Sequence, residues 1–361
     1  MRSGLGIIVL VALMSACSDE SGGSASASAE PSDPAPSTSQ SPSPSAEDEH
    51  EWAALPSLED AVLATGPNDG WLAGRYTSAA DGSLWIPNGN ADGHAAVARF
   101  DAETLEAITT VELGGSDHGL PPDAEASAAG ANGVWVTLAY QDAVALIDPA
   151  TNAESRRITV EGDPYFLVED GDSLWITDFG GGAVVHVDIA SGEELLRVAT
   201  LEGPLEVAAA FEAVWVVTHA GYVVRLDPEF GETIAAISVG GRPGIAIGFD
   251  SVWARSDDEG TISRIDPSTN EVVATIELPT FTTDIEVAGD SVWVAGGPQR
   301  GSCEEAGYLV RIDPSTNEPD GFMPMDCPTM LATDGIGLWA GTTLEGDTDL
   351  MLISIDPGQR P

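Results

Sequence analysis

The stretch GIAIGFDSVWARSDDEGTISRIDPSTNEVVATIEL, residues 244–278, contains four short apolar runs separated by turn residues. The runs cover Gly244–Phe249, Val252–Arg255, Thr261–Ile265 and Glu271–Leu278. Between the third and fourth runs, Asp266 can cap a turn, Pro267 has a fixed φ, and Asn270 tolerates the left-handed conformation. The stretch therefore predicts a unit of four short antiparallel strands.

The same unit recurs along the chain with a period near forty residues. Its signature is a tryptophan next to aliphatic residues, at Trp85, Trp135, Trp175, Trp215, Trp253, Trp293 and Trp339. Each tryptophan is followed 12 to 20 residues later by a turn aspartate, at Asp101, Asp148, Asp188, Asp227, Asp266, Asp313 and Asp356. A forty-residue period with four strands in each unit predicts an all-β fold, a seven-bladed β-propeller.

Ring closure can also be read in the sequence. The last unit stops at Asp356-Pro357, just after its third strand, and Ala61–Thr65 resembles the outer strand at Glu271–Thr275. We expect residues 61–65 to supply the missing outer strand and so remove two exposed sheet edges. A solenoid is the rival fold, but it requires capping units and no closing fragment.

One turn departs from the repeat. The position four residues after the turn aspartate holds Asn152, Gly192, Gly231, Asn270 and Asn317 in five units, but Leu105 in the first. We therefore expect an irregular turn at Leu105.

The N-terminus resembles that of an exported bacterial lipoprotein. Residues 1–16 contain Arg2, a short apolar run and small residues before Cys17, so they read as a lipoprotein signal peptide with Cys17 as the acylated residue. An ordinary cleaved secretory signal is the alternative. Residues 17–50 are rich in Ser, Pro, Ala and acidic residues, which predicts a disordered linker before a propeller over residues 51–361. The expected location is the cell membrane, lipid-anchored and facing the extracytoplasmic side.

The remaining two cysteines form an even pair in that oxidising compartment. We expect Cys303 and Cys327 to form a disulfide, with two free buried thiols as the alternative.

Charge excludes some classes of partner. The chain contains 59 acidic residues and 13 basic residues, all of them arginine, which gives a formal net charge of -46. Such a surface repels nucleic acid and anionic lipid headgroups, so we expect no nucleic acid partner and membrane contact through the lipid anchor only. A monomer is expected.

The repeated Val-Trp-Val segments and Arg264–Ile276 are similar to YVTN-type and streptogramin-lyase-like propellers, over roughly residues 55 to 361. The resemblance is specific for fold, because these motifs are blade scaffolding. It implies, for a lyase, a histidine base and a metal near the channel. No segment here carries that set, so His219 cannot be transferred as catalytic, and we assign no catalytic residue and no cofactor.

Departures from the repeat nominate binding residues. The interval from tryptophan to aspartate is longer in blades one, six and seven, and the connection entering blade two is extended, so one sector of one rim carries elaborated loops. That sector supplies Asp92, His94, His118 and Arg300 as candidate ligand-binding residues; solvated surface loops are the alternative. A divalent cation at Asp92, His94, Asp117 and His118 matches no known ligand spacing.

Arginine is scarce, so its positions are informative. Arg99, Arg225, Arg264 and Arg311 lie two residues before the turn aspartate, which predicts structural ion pairs. We likewise expect His186 to pair with Asp188. Near the channel mouth, Arg75, Arg242 and Arg255 are candidates for an anionic ligand, with pairing to local carboxylates as the alternative.

These features favour a non-enzymatic, membrane-tethered binding module that recognises a protein, peptide or small polar ligand on its elaborated face. The rival is a metal-dependent lyase or hydrolase with its site at the propeller channel. A purely structural envelope protein is a third candidate.

Overall fold

A computed structural model describes residues 62–68, 76–89, 94–115, 124–199, 203–278, 281–297, 307–325, 328–343 and 350–356. These residues form seven four-stranded antiparallel sheets, the blades of a propeller. The predicted all-β, seven-bladed fold is therefore confirmed. Within the described part of the chain, no helix is long and apolar enough to cross a bilayer.

Each blade is numbered in chain order, and its strands run from the inner to the outer edge. Blade 1 contains β2 (Ser78–Ala80), β3 (Ser83–Gly89), β4 (Ala95–Asp101) and β5 (Ala107–Glu112); blade 2 contains β6 (Ala124–Gly130), β7 (Gly133–Leu138), β8 (Ala143–Asp148) and β9 (Ala153–Thr159). Blade 3 contains β10 (Pro164–Asp170), β11 (Ser173–Asp178), β12 (Ala183–Asp188) and β13 (Glu194–Ala199); blade 4 contains β14 (Pro204–Ala210), β15 (Ala213–Thr218), β16 (Tyr222–Leu226) and β17 (Thr233–Ser238). Blade 5 contains β18 (Pro243–Gly248), β19 (Ser251–Ser256), β20 (Thr261–Asp266) and β21 (Glu271–Glu277); blade 6 contains β22 (Phe281–Ala288), β23 (Ser291–Gly297), β24 (Gly307–Asp313) and β25 (Glu318–Met325).

Blade 7 closes the ring as predicted. Its strands are β26 (Pro328–Thr333), β27 (Leu338–Thr343), β28 (Leu350–Ile355) and, as outer strand, β1 (Val62–Asn68), which pairs antiparallel with β28. Blades 7 and 1 then meet directly, because the indole Nε1 of Trp339 donates to the carbonyl of Ala102 at 2.8 Å. The first strand of the chain thus completes the last blade.

The core lies between the blades. Each repeat tryptophan is at most 6% exposed and belongs to an apolar cluster, and most of these clusters combine residues of two adjacent blades. Both faces of a blade are therefore buried, which explains the nearly continuous apolar runs of the second and third strands.

Three of the four scaffold arginines make contacts different from those expected, whereas Arg311 forms a buried ion pair, with Oδ1 of Asp320 at 2.6 Å from its Nε. Arg264 lies over the ring of Trp253 at 4.9 Å and donates to the carbonyl of Pro314 at 2.6 Å and to Oδ1 of Asn317 at 2.9 Å, both in the turn of the next blade. Arg99 and Arg225 make the equivalent hydrogen bonds to the Asn152 and Asn270 turns. The prediction of ion pairs with the turn aspartates is wrong for these three: their guanidinium groups join neighbouring blades instead.

The turn aspartates serve their own turns. Asp266 accepts hydrogen bonds from the backbone and hydroxyl of Ser268 at 2.7 and 2.6 Å, and these bonds lower the pKa of its carboxyl. Asp188 is held in the same way by Ser191. His186, expected to pair with Asp188, instead stacks on Trp175 and hydrogen bonds to Ser173 through Nε2 at 2.8 Å. The stacking occupies the position that arginine takes in other blades.

The turn at Leu105 is regular, contrary to expectation. Leu105 has a φ of 58°, like Asn152 at 52° and Asn270 at 62°, and its amide donates to the carbonyl of Asp101 at 2.9 Å, the same turn bond. A leucine tolerates this conformation because its side chain is buried, 2% exposed, in the cluster between blades 7 and 1.

Candidate functional site in the propeller channel

Strand direction defines two rims. Every inner strand begins at the rim that carries the connections between blades and ends at the rim of the regular turns, because successive strands of a blade are antiparallel. We call the former the loop rim and the latter the turn rim. A cluster of charged side chains lies near the loop rim in blades 4 to 6, and we call it the channel cluster. It consists of Glu206 on the inner strand β14, Arg255 and Asp257 at the end of β19, and Asp284 and Glu286 on the inner strand β22.

Glu206 on β14 connects blade 4 to blade 5. Its Oε2 accepts a hydrogen bond from the backbone amide of Ile245 at 2.9 Å, and the side chain of Glu206 is almost fully buried. Its Oε1 lies 3.7 Å from Nη2 of Arg255, too far for a hydrogen bond, and has no hydrogen-bond partner among the described residues. Burial raises the pKa of Glu206, while Arg255 lowers it and so favours the charged form.

Arg255, at the end of β19, performs a scaffold task with an unusual side chain. In blades 2 and 3, the hydroxyls of Thr137 and Thr177 donate to the inner strand of the next blade at 3.1 and 2.9 Å. Arg255 reaches the equivalent carbonyl of Thr282 at 3.5 Å. A small neutral residue therefore suffices for this contact, and the guanidinium is there for some other purpose.

Gly244 makes room for that guanidinium. A Cβ at this position would lie 2.5 Å from Nε of Arg255, so no other residue fits without displacing the charge. Nη1 of Arg255 lies 3.4 Å from Oδ1 of Asp257 and 3.4 Å from the carbonyl of Arg242. Arg255 is 8% exposed, and carboxylates surround its guanidinium.

Asp284 and Glu286 lie on β22 and are partly exposed. Asp284 accepts hydrogen bonds from the amides of Leu331 in blade 7, at 2.7 Å, and of Ile285, at 2.8 Å. Burial raises the pKa of Asp284 to about 7, although Arg255 opposes this shift. The pKa of Glu286 is raised well above its usual value by burial and by the neighbouring Asp284. Glu286 forms no ion pair with any described residue.

Aromatic rings border the cluster on the side of blades 1 and 3. Tyr76 meets Tyr165 edge to face at 5.6 Å and Phe166 at 4.8 Å between ring centroids, and Tyr165 lies 5.4 Å from Phe179. Tyr76 lies close enough to Glu206 to influence the pKa of that carboxyl, and burial raises the pKa of Tyr76 well above its usual value. Carboxylates and aromatic rings thus share one end of the channel.

The structure describes three of the seven candidate ligand-binding residues. Arg255 is in the channel cluster and is paired with carboxylates, the alternative given above. Arg242 lies in the connection entering blade 5, half-buried, with its backbone carbonyl facing Arg255. His94 is exposed and lies against Gly115 at the start of β4, apart from these two. The structure thus places the backbone of Arg242, and not its guanidinium, against Arg255.

The other nominated residues lie outside the described part of the chain. These are Arg75, Asp92, His118 and Arg300, together with Cys17, Cys303 and Cys327. The elaborated loops of blades 1, 6 and 7 also fall largely outside it. Their assignments remain predictions.

A lyase metal would need a set of histidine, cysteine or carboxylate ligands near the channel. Nowhere in that part of the chain do three or more His, Cys, Asp or Glu residues adopt an arrangement that could hold a metal ion. His219 is exposed after β15, and His186 stacks on Trp175. The described channel therefore does not fit the histidine and metal pair that the lyase resemblance implies.

Sequence reasoning missed Glu206, Asp284, Glu286 and Tyr76 because it compared loops and not inner strands. Each repeat tryptophan pairs with one residue of the inner strand, and the residue two positions before that partner differs in chemistry from blade to blade. In chain order this position holds Tyr76, Ala126, Phe166, Glu206, Gly244, Asp284 and Met330. Only blades 4 and 6 carry a charge there. Comparing this position from blade to blade would have identified the site.

Comparisons with known proteins agree with the fold. No family model matches the sequence. The virginiamycin B lyase of Nocardia farcinica (strain IFM 10152) is 27% identical over 195 residues, which cover 52% of this chain and 65% of the lyase, less than two thirds of its length. The Neurospora crassa Pan2 WD40 domain superposes with a TM-score of 0.62 at 11% identity, covering 84% of this chain and 98% of that domain. BBS1N, solved in complex with ARL6DN, gives 0.62 at 12% identity over 84% and 99% of the two chains. These two structures support the fold alone, whereas the lyase match and the seven-bladed ring together support the resemblance of this chain to streptogramin-lyase-like propellers.

Proposed function

We propose that this protein is an exported, lipid-anchored binding module that recognises a protein, peptide or small polar ligand at its loop rim, with the channel cluster as part of the binding site. The observation that carries the proposal is the charged cluster at a blade junction that blades 2 and 3 build from threonine. Tethering through Cys17 would raise the effective concentration of the propeller at the membrane.

The hydrogen bonds of Glu206 and Asp284 to neighbouring blades stabilise the fold, but they do not require an excess of charge in this cluster. Removing charged groups from water costs several kcal/mol for each ion, and a pair with long contacts recovers only part of that cost. The contact between Glu206 and Arg255 spans 3.7 Å, and Glu286 forms no ion pair with a described residue. Binding sites often keep such groups at the expense of stability.

Thermal-shift screening of the full-length chain tests this function. The library contains amines, amino acids, short peptides, sugars and carboxylic acids, and each compound is tested on the wild type, on Glu206→Gln and on Glu229→Gln. Glu229 is an exposed residue of a turn-rim loop and serves as the matched control. At a hundredfold excess over Kd, a ligand adds about 2.7 kcal/mol to the free energy of unfolding.

We expect at least one class of compound to raise the Tm of the wild type and of Glu229→Gln by several degrees, and to lose this effect in Glu206→Gln. A screen without any shift, or shifts that Glu206→Gln leaves unchanged, would contradict a binding role of the cluster. The lipid anchor is tested separately by metabolic labelling with palmitate, which should be lost in Cys17→Ser.

The lyase match favours a second candidate, an enzyme of streptogramin-lyase type. Its test is incubation with virginiamycin B, with and without a chelator. Turnover that the chelator abolishes would replace the binding module with an enzyme. Intact substrate would leave the binding module as the better account.

A further inference from the structure

The channel cluster contains more negative than positive charge. Glu206, Asp257 and Asp284 surround the single guanidinium of Arg255, and Asp284 lies close enough to Glu286 to raise the pKa of Glu286. Four carboxyl groups thus face one described cation. If all were ionised, the channel would carry a net charge of about -3, which a low-dielectric interior strongly disfavours.

A buried acceptor in the cluster lacks a donor. Oε1 of Glu206 is buried and accepts no hydrogen bond from a described residue, and a buried polar atom without a partner costs about 1–3 kcal/mol. The other oxygen of the same carboxylate, Oε2, accepts from the amide of Ile245, while Nη2 of Arg255 lies 3.7 Å from Oε1, beyond hydrogen-bond distance. The atom is therefore a positioned acceptor.

Aromatic rings stand beside these carboxylates. Tyr76 contacts both the carboxylate of Glu206 and the ring of Tyr165. Aromatic rings attract cations through their negative π faces, and the combination of such rings with carboxylates is suited to an ammonium group. An ammonium also offers three N–H donors to several acceptors at once.

We infer that the channel cluster is a subsite for a protonated amine carried by the bound ligand. This inference rests on the proposed binding function and names the chemical group recognised. An anion is disfavoured because Arg255 is already surrounded by carboxylates. A metal ion is disfavoured because the described residues offer no suitable arrangement of ligands.

Proton release should accompany binding. The groups that face Asp284 are Arg255 on β19, Glu206 on β14 and Glu286 on its own strand, while β26 of blade 7 contributes the Leu331 amide and no titratable side chain. In the unliganded protein, protons bound to the carboxyl groups offset part of the excess negative charge. Asp284, with a pKa of about 7, is one of these protonated groups near neutral pH. An ammonium would replace its proton, so binding should be about tenfold tighter at pH 8 than at pH 6.

The probe is n-butylammonium, with n-butanol and butyrate as neutral and anionic counterparts, titrated into the full-length chain and followed by ligand-observed NMR. We expect n-butylammonium to bind the wild type and Glu229→Gln, at least tenfold more weakly to Glu206→Gln and Glu286→Gln, and about tenfold more tightly at pH 8 than at pH 6. Circular dichroism confirms that each variant is folded.

Equal binding of n-butanol would show an apolar cavity, and tighter binding of butyrate would show an anion site at Arg255; either result overturns the inference. An affinity for n-butylammonium that does not change from pH 6 to 8 also overturns the inference. This measurement uses the wild type alone, so it does not depend on whether any variant folds. Displacement of the amine by equimolar Mg²⁺ or Ca²⁺ would show a metal site and would also overturn it. If the thermal-shift screen yields a ligand but n-butylammonium does not bind, the binding function stands and the amine assignment fails; if neither binds, both fail.

Discussion

The raised pKa of Asp284 makes the stability of the propeller depend on pH in a defined direction. The carboxyl has a pKa of about 7 in the folded protein and about 3.9 in an unfolded chain, so the folded state binds its proton more tightly. The stabilising contribution is complete below the unfolded value and is lost as pH rises through the folded one. Since each tenfold change in proton affinity corresponds to about 1.4 kcal/mol, the total loss is about 4 kcal/mol, of which about 3 kcal/mol falls between pH 5 and 8.

Asp284→Asn should remove this dependence. The single amide oxygen can accept from Leu331 or from Ile285 but not from both, so the variant should be about 1–2 kcal/mol less stable than the wild type at pH 5. At pH 8 the wild type has lost its advantage, and the variant should be equally or more stable. The two curves of unfolding free energy against pH should therefore cross.

The measurement is urea unfolding followed by tryptophan fluorescence at pH 5, 6, 7 and 8. Asp266→Asn is the matched control: bonds from Ser268 lower the pKa of Asp266, so its contribution is present above about pH 4 and disappears only as pH falls. This variant should be less stable than the wild type, and the difference between the two proteins should be constant from pH 5 to 8. Burial lowers the pKa of His186, which makes stability rise with pH, but this effect is common to all three proteins and cancels. Parallel curves for Asp284→Asn and the wild type would refute the reasoning.

Three further predictions concern the scaffold. Arg264→Ala removes hydrogen bonds to Ser251, Pro314 and Asn317 and the contact with Trp253, and should lower the free energy of unfolding by about 2–4 kcal/mol in urea titrations; Arg264→Lys should recover only part, and no loss in either variant would show that the arginine does not join the blades. Gly244→Ala places a Cβ 2.5 Å from Nε of Arg255 and should lower the free energy of unfolding by about 1–3 kcal/mol. Gly297→Ala is the control, because its Cβ would meet only the Cα of Gly307 at 3.9 Å, and it should lower the free energy by less than about 0.5 kcal/mol. Equal losses in the two variants would argue against crowding at Arg255. A chain that begins at residue 69 lacks β1 and leaves β28 as an open edge, so size-exclusion chromatography should show association or unfolding, while a chain that begins at residue 51 elutes as a monomer; a well-folded monomer without β1 would contradict closure by that strand.

The fold could be predicted because the sequence pattern of one blade recurs seven times along the chain. Every blade must bury both faces, so the tryptophan, the aliphatic residues and the turn aspartate recur at fixed spacing, and the break after Asp356 reveals which strand is missing. The unit around Trp253 was placed almost to the residue, with β20 predicted as Thr261–Ile265 and found as Thr261–Asp266.

Contacts between blades could not be assigned from one unit at a time. Arg264 was matched with the nearest acidic residue in sequence, Asp266, whereas its partner is the turn of the following blade. The sequence does contain this relation: Arg99, Arg225 and Arg264 each precede a blade whose turn contains asparagine, and His186 precedes one with Gly231. Leu105 shows the same limit, since the burial that permits its φ comes from blade 7.

The candidate site was only half visible in the sequence. Arg255 stood out because other blades carry small residues after the tryptophan, but its carboxylate neighbours come from the inner strands of blades 4 and 6. In the sequence those strands resemble the inner strands of the other blades, and only the circular arrangement of the blades shows that their carboxylates lie near Arg255. Convergence of this kind depends on circular geometry and not on local pattern.

The central claim is that the excess negative charge of the channel cluster serves a ligand, although Glu206 and Asp284 also accept hydrogen bonds from neighbouring blades. The most direct test is the free energy of unfolding of Glu286→Gln at pH 9, compared with the wild type by urea titration. Glu286 is held in the channel without an ion pair to any described residue, and its raised pKa means that the folded state disfavours its charge, so neutral glutamine should make the protein more stable. A less stable Glu286→Gln would mean that the carboxylate supports the blades, and it would contradict the claim.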